Sequence, residues 1–348
     1  MRSIYYCVYS IVVVILFSSI LLINNNNYFE KNDNNNNNIY NKIDFFNFKL
    51  LQNSYAVEED NEDDKDDNNN DDSDDKKDKS SIFNIVAVGD WDCTGETEDT
   101  VDNIIEQDPE LVLALGDFSY NGDADCWFEI IEPIADKTKI VLGNHEDEED
   151  YMDFFGLKEQ YYSFNYKNMH FLALSTETDY DDDSEQYQFA IRDLEKYSKD
   201  PFIDWIIVFY HRHIYGSGSL EEDTDFREIY HPLFDKYKVD LALQGHLHVY
   251  ERTYPITFNN EDDDEPIVQD NNPTNIYKNP KAPIFLTVGT GGAHDMILSS
   301  LDDFVAEGID GTFGILDIAL ESDQKTLAGT FIENGKKKEV MDEFKIVK

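Results

Sequence analysis

The sequence predicts an α/β fold whose strands run out into a cluster of metal-seeking side chains. Five apolar runs of strand length each end in Asp, Asn or His, helix-like stretches separate some of the runs, and glycine precedes four of the polar residues directly. Strands alternating with helices imply a largely parallel, buried sheet, and such sheets place ligands just beyond the carboxyl ends of their strands.

The runs follow in order. Ile85 to Val88 leads into Gly89-Asp90, Leu111 to Leu115 into Gly116-Asp117, and Lys139 to Leu142 into Gly143-Asn144-His145. Ile206 to Phe209 leads into Tyr210-His211, and Val239 to Leu243 into Gln244-Gly245-His246-Leu247-His248. A glycine at the strand end lets the chain turn sharply and lets backbone approach a bound ion. His246 and His248, two apart, would point to opposite faces of an extended chain, so joint use of both requires a tight turn. Carboxylate and amide oxygens mixed with imidazole nitrogens suit two adjacent first-row metal ions, an arrangement that serves displacement at phosphorus.

The remaining elements read less sharply. Ser184 to Tyr197 alternates apolar and charged residues at helical spacing. Ile284 to Val288 is a sixth buried strand, followed by a Gly-rich loop through His294 that should border the site, with His294 supporting ligands rather than binding metal. Phe313 to Leu320, Thr326 to Glu333 and Glu339 to Val347 read as antiparallel strands, one turn being Asn334-Gly335, expected to finish a second sheet. Glu261 to Pro280 reads as a mobile acidic loop. Cys93 follows the first motif and Cys126 the second. They could pair in an oxidising compartment, stabilising by roughly 3 to 4 kcal/mol, or remain free buried thiols.

With these motifs in place, the chain resembles the calcineurin-like metallophosphoesterase superfamily, and within it the purple acid phosphatases. Gly89-Asp90-Trp91-Asp92 lacks the histidine common in the superfamily's first motif, while Asp117-Phe118-Ser119-Tyr120 carries the tyrosine that purple acid phosphatases use instead. Gly143-Asn144-His145-Glu146 and Gly245 through Arg252 match the third and last motifs. The resemblance implies a four-layer α/β/β/α sandwich of two mixed β-sheets flanked by helices. It implies that Asp117 bridges two ions, that Asp90, Tyr120 and His248 complete the first, and that Asn144, His211 and His246 hold the second. Phenolate favours Fe(III) at the first position, and the neutral donors suit divalent Fe, Zn or Mn at the second. The implied activity is phosphomonoester hydrolysis of the acid phosphatase type, by attack of a metal-activated hydroxide. A phosphodiesterase or nucleotide hydrolase on the same site is the enzymatic rival, and a non-catalytic acidic surface-binding protein the rival of another class.

Proton delivery is less defined. His145 is the first candidate for the leaving-group proton, unless it only supports the ligands. The loop after His211 lacks the histidines usual in the family, which leaves His213 either to supply the proton or to pack. Glu221 and Glu222 there would repel phosphate, and Arg212 or Arg252 could offset them.

Three segments are expected along the chain. Residues 1–23 hold an almost wholly apolar stretch from Ile4 to Ile23 after Arg2, read as a signal peptide or a membrane anchor with a cytoplasmic amino terminus. Residues 24–81, rich in Asn, Asp and Lys, read as a disordered stalk, and 82–348 as the catalytic domain. The location expected is extracytoplasmic, secreted or anchored to the outer face of the membrane. A formal charge of −46, without basic patches, argues against a nucleic-acid surface, and the resemblance implies small phosphorylated substrates.

Overall fold

The computed structural model describes residues 81–348 apart from Ser219 and Ser299. The expected leader at 1–23 and stalk at 24–81 lie outside the described residues, Ser81 excepted. Among the described residues no helix is long and apolar enough to cross a membrane.

Two seven-stranded mixed sheets make up the body. The first holds β1 (Ser81–Val88), β2 (Leu111–Ala114), β3 (Thr138–Ile140), β11 (Ile276–Lys278), β14 (Gly314–Glu321), β15 (Thr326–Glu333) and β16 (Val340–Val347), in the order β11-β16-β15-β14-β1-β2-β3. The second holds β4 (Tyr162–Tyr166), β5 (Met169–Ala173), β6 (Trp205–Phe209), β7 (Leu241–Gln244), β8 (Tyr250–Thr253), β12 (Ile284–Val288) and β13 (Val305–Ile309), in the order β13-β8-β12-β7-β6-β5-β4. A short ribbon pairs β9 (Ile256–Thr257) with β10 (Ile267–Val268). The helices are α1 (Gly95–Gln107), α2 (Ala124–Ile130), α3 (Glu148–Phe155), α4 (Glu185–Tyr197) and α5 (Thr224–Tyr237).

The parallel pairings are β1 with β2, β2 with β3 and β11 with β16 in the first sheet, and β5, β6, β7 and β12 in the second. Each parallel neighbour requires a crossover, and α1, α2, α4 and α5 supply four of them. The predicted helix from Ser184 is α4: the Ser184 side chain accepts the Tyr187 N–H at 3.0 Å and so caps the first turn. Its apolar face, Ala190 and Leu194, joins Ile206 and Val208 of β6 and Phe226, Tyr230 and Phe234 of α5 in one buried cluster. This burial, at about 25 cal/mol per Å² of apolar surface, is what holds the helical layer on the sheet.

The sheets touch through side chains. Tyr250 of β8 stacks on Phe331 of β15 at 4.2 Å, and the buried Arg252 of β8 donates from Nε and Nη2 to Asp342 of β16 at 2.7 and 2.9 Å. Arg252 is thus a strut between sheets, and it does not offset acidic groups at the metal site as the sequence reading allowed. Three expectations need adjustment. The strand-end motifs are divided between two sheets, rather than lining one parallel sheet. The carboxyl-terminal strands add to the sheet that begins with β1, through the antiparallel pairing of β14 with β1. The acidic stretch at 261–280 contributes β10 and β11. Two of its anchors, the buried Tyr277 whose hydroxyl accepts from Arg252 at 3.0 Å and the Asp263 carboxylate that pairs with the buried Arg227 at 2.7 Å, are invisible in a run of Asp and Asn.

Candidate metal centre

The five motifs meet where the carboxyl ends of β1, β2 and β3 face those of β6 and β7. The turns off the strands are made largely by the polar residues themselves: Asp90, Asp117 and His246 have φ of 59°, 52° and 69°. That region costs a side-chain-bearing residue about 1 to 3 kcal/mol, strain of the kind functional sites store. Two glycines serve close approach instead of turning. A Cβ on Gly143 would lie 2.2 Å from Asp117 Oδ1, and one on Gly245 would lie 2.8 Å from Asp90 Oδ2.

Two groups of donors share one carboxylate. On one side, Asp117 Oδ1 lies 3.3 Å from His211 Nε2, which is 3.2 Å from His246 Nδ1. The three donor atoms of this group fall within 4.8 Å of one another. On the other side, Asp117 Oδ2 accepts from the Tyr120 hydroxyl at 3.2 Å. That hydroxyl is 2.9 Å from His248 Nε2 and 3.3 Å from Asp90 Oδ1. Two carbonyls aim the histidines: Leu115 O accepts from His211 Nδ1 at 2.8 Å and His294 O from His248 Nδ1 at 2.6 Å. In each ring Nε2 is left to face the carboxylates. His294 therefore acts through its backbone, and its ring is exposed.

The electrostatics fit cations. Burial would raise the Asp117 carboxyl, but His211 and His145 hold it well below the usual carboxylate range. Burial, and then the Asp90 and Asp117 charges, push the Tyr120 phenol far up. Burial opposes the charged form of His211, yet Asp117, Asp90 and Glu146 outweigh it and raise the ring to about 10. Protons are held where positive charge is wanted. Six side chains with oxygen and nitrogen donors meet around Asp117, a donor chemistry that suits transition-metal ions.

Other predicted residues take distinct places. Asn144 is exposed on the loop after β3, and its side chain makes no hydrogen bond among the described residues. His145 is 42% exposed, with Nε2 4.0 Å from Asp117 Oδ2 and its ring against Tyr120 at 4.4 Å. His213 is fully buried, stacked on His246 at 5.6 Å, with neither ring nitrogen hydrogen-bonded among the described residues. Burial, then His246 and His211, push it down to about 3, so it sits behind the donors as a neutral ring. Glu222 accepts from Gly216 N at 2.9 Å and pairs with the buried Arg227, so its charge is offset inside the protein. Arg212 is bound by Glu177.

Glu146 had no role in the sequence reading. Its carboxylate accepts the N–H groups of Asp117 at 3.0 Å, Phe118 at 2.8 Å and Gly143, tying the second and third motif loops together. Burial raises it to about 7. Its place at the end of Gly-Asn-His-Glu was the available signal. Cys93 and Cys126 form a disulfide, Cα atoms 6.1 Å apart, with Cys126 on α2 and not in a loop. The bridge joins the segments that follow Asp90 and Tyr120.

Residues 83–250 match the family model for calcineurin-like phosphoesterases. This match, with the two mixed sheets, makes the chain similar to the calcineurin-like phosphoesterases, and its likeness runs to the purple acid phosphatases. It is 27% identical over 256 residues to purple acid phosphatase 23 of Arabidopsis thaliana, covering 60% of this chain and 52% of that protein. It is 32% identical over 266 residues to probable inactive purple acid phosphatase 27 of the same plant, covering 63% and 42%. The chain spans about half the length of the curated relatives it matches. Among solved structures, purple acid phosphatase PPD1 from yellow lupin seeds shares the fold with a TM-score of 0.65 at 24% identity, covering 76% of this chain and 53% of that one. The family implies a dinuclear metal site.

Proposed function

We propose that the chain is a metal-dependent phosphomonoesterase of the acid phosphatase type. The observation that supports this best is Asp117, whose two oxygens face two separate donor groups. Asp90, Tyr120 and His248 would hold one ion with Asp117, and His211, His246 and Asn144 the other. Two cations so held would lower the pKa of a water and neutralise phosphate oxygens. Fe(III) suits the tyrosine side and divalent Fe, Zn or Mn the other.

The chain's own groups do the rest. The Leu115 and His294 carbonyls keep His211 and His248 oriented, and Glu146 keeps the Asp117 and Asn144 loops in register. His145, open to solvent beside Asp117, can pass a proton to the departing oxygen, whereas His213 lies buried behind His246. The disulfide accords with an exported or membrane-tethered protein in an oxidising compartment. The likeness to probable inactive purple acid phosphatase 27 keeps a non-catalytic binding protein as the rival reading. Retention of donors around Asp117 speaks against it.

The test is to load the full chain with iron, zinc and manganese, record visible absorption, and assay a chromogenic phosphate monoester and a diester at mildly acidic pH. Hydrolysis favouring the monoester is expected, with a phenolate-to-iron band that Tyr120→Phe abolishes. No turnover with any of these metals would sink the proposal.

A further inference from the structure

Arg212 follows His211 directly, and its backbone N–H donates to Thr176 Oγ1 at 3.2 Å. Its guanidinium donates from Nε to Glu177 Oε1 at 2.7 Å and from Nη2 to Glu177 Oε2 at 3.1 Å. Thr176 Oγ1 donates in turn to Glu177 Oε1 at 3.0 Å, so the carboxylate is itself held. The side chain remains 35% exposed, and Nη1 has no hydrogen bond among the described residues. Glu177 lies beyond β5, the parallel neighbour of β6, which places the pair on the sheet edge that carries His211 and His246.

The surroundings are acidic. The exposed Asp179 and Asp181 follow Glu177 in the chain. A partly exposed Arg–Glu pair by itself adds little to stability. What the bidentate hold does supply is a guanidinium fixed in one orientation with a donor edge unused, and a planar fork of that kind matches phosphate or carboxylate oxygens.

We propose that Arg212 is a specificity residue, positioned by Glu177, that binds a second anionic group on the substrate beside the phosphate undergoing hydrolysis. This rests on the phosphoesterase reading. It names the substrate class as phosphate esters or anhydrides carrying a further phosphoryl or carboxylate group.

Arg212→Gln, Arg212→Lys and Glu177→Gln are compared with wild type, all as full chains loaded with zinc. Substrates are a nucleoside diphosphate and p-nitrophenyl phosphate, which has no second anion. Arg212→Gln should raise KM for the diphosphate about tenfold, with kcat and the p-nitrophenyl phosphate KM changed less than about twofold. Lys should recover only part of the loss, because an ammonium lacks the fork. Glu177→Gln, which loosens the guanidinium, should raise the diphosphate KM in the same selective way. Equal losses on both substrates, or none, would overturn the proposal. Titration calorimetry with a non-hydrolysable methylene diphosphonate analogue gives a second reading: about tenfold weaker binding by Arg212→Gln supports it, and unchanged affinity refutes it. A wild type that hydrolyses neither substrate defeats the phosphoesterase reading, while the calorimetry still decides the role of Arg212.

Discussion

A single buried carboxyl illustrates how this protein places charge. Glu251 lies three residues past His248, and its side chain accepts the Ser217 N–H at 2.9 Å. Burial raises it from 4.5 to about 7, with Asp302 and Glu222 acting the same way and Ser217 opposing. The unfolded chain loses this proton near 4.5 and the folded chain keeps it to about 7, so between those values the folded state binds more protons. Stability therefore falls as pH rises through that window. Glu251→Gln, which keeps an acceptor for Ser217, should remove this part of the pH dependence. Urea midpoints at pH 5 and 7.5 should converge in the variant relative to wild type; an unchanged difference would count against the assignment. The same scale shows what sequence could and could not reveal. Asp90, Asp117, His211, His246 and His248 were legible because each ends an apolar run. Glu177 was not, because nothing in Thr176-Glu177-Thr178 signals that its partner is Arg212.

Between elements, two covalent or ionic ties hold the centre in shape. The Cys93–Cys126 bridge closes a loop across a sequence separation of 33, around β2 and the second motif. Chain-entropy reasoning gives about 3 to 4 kcal/mol for a loop of that size. Cys93→Ser should lower stability by that amount in denaturant melts and weaken metal retention, since Asp90 and Tyr120 flank the bridge. Retention of wild-type stability would show that the loops are held by packing alone. The second tie is Arg252 with Asp342, which crosses from β8 to β16. Asp342→Ala leaves the guanidinium buried without its partner, for an expected loss of about 3 to 5 kcal/mol. A thermal melt within a degree or two of wild type would contradict this. The last motif was read around its histidines; its final Arg turned out to be a structural strut, because sequence spacing says nothing about which sheet lies opposite β8.

At the scale of the whole molecule, charge governs encounter. With a formal net charge of −46, the chain repels anionic substrates at long range, and salt screens that repulsion over about 10 Å at 0.1 M. kcat/KM for a phosphate ester should rise as ionic strength increases from a low value, with kcat little changed. A flat or falling profile would mean that local positive charge, Arg212 and the metals, dominates the approach.

The amino-acid pattern was enough to establish the α/β class and the strand ends, and to single out the polar residues that meet around Asp117, because hydrophobic period and side-chain type are both local properties. It could not assign strands to sheets, since β1 pairs with β14 more than two hundred residues away through backbone bonds that carry no side-chain signature. Nor could it tell that Asp117 presents one oxygen to His211 and the other to Tyr120. That division depends on the two sheets packing face to face so that the carboxyl ends of their strands lie together, a long-range outcome fixed only when the whole core is assembled.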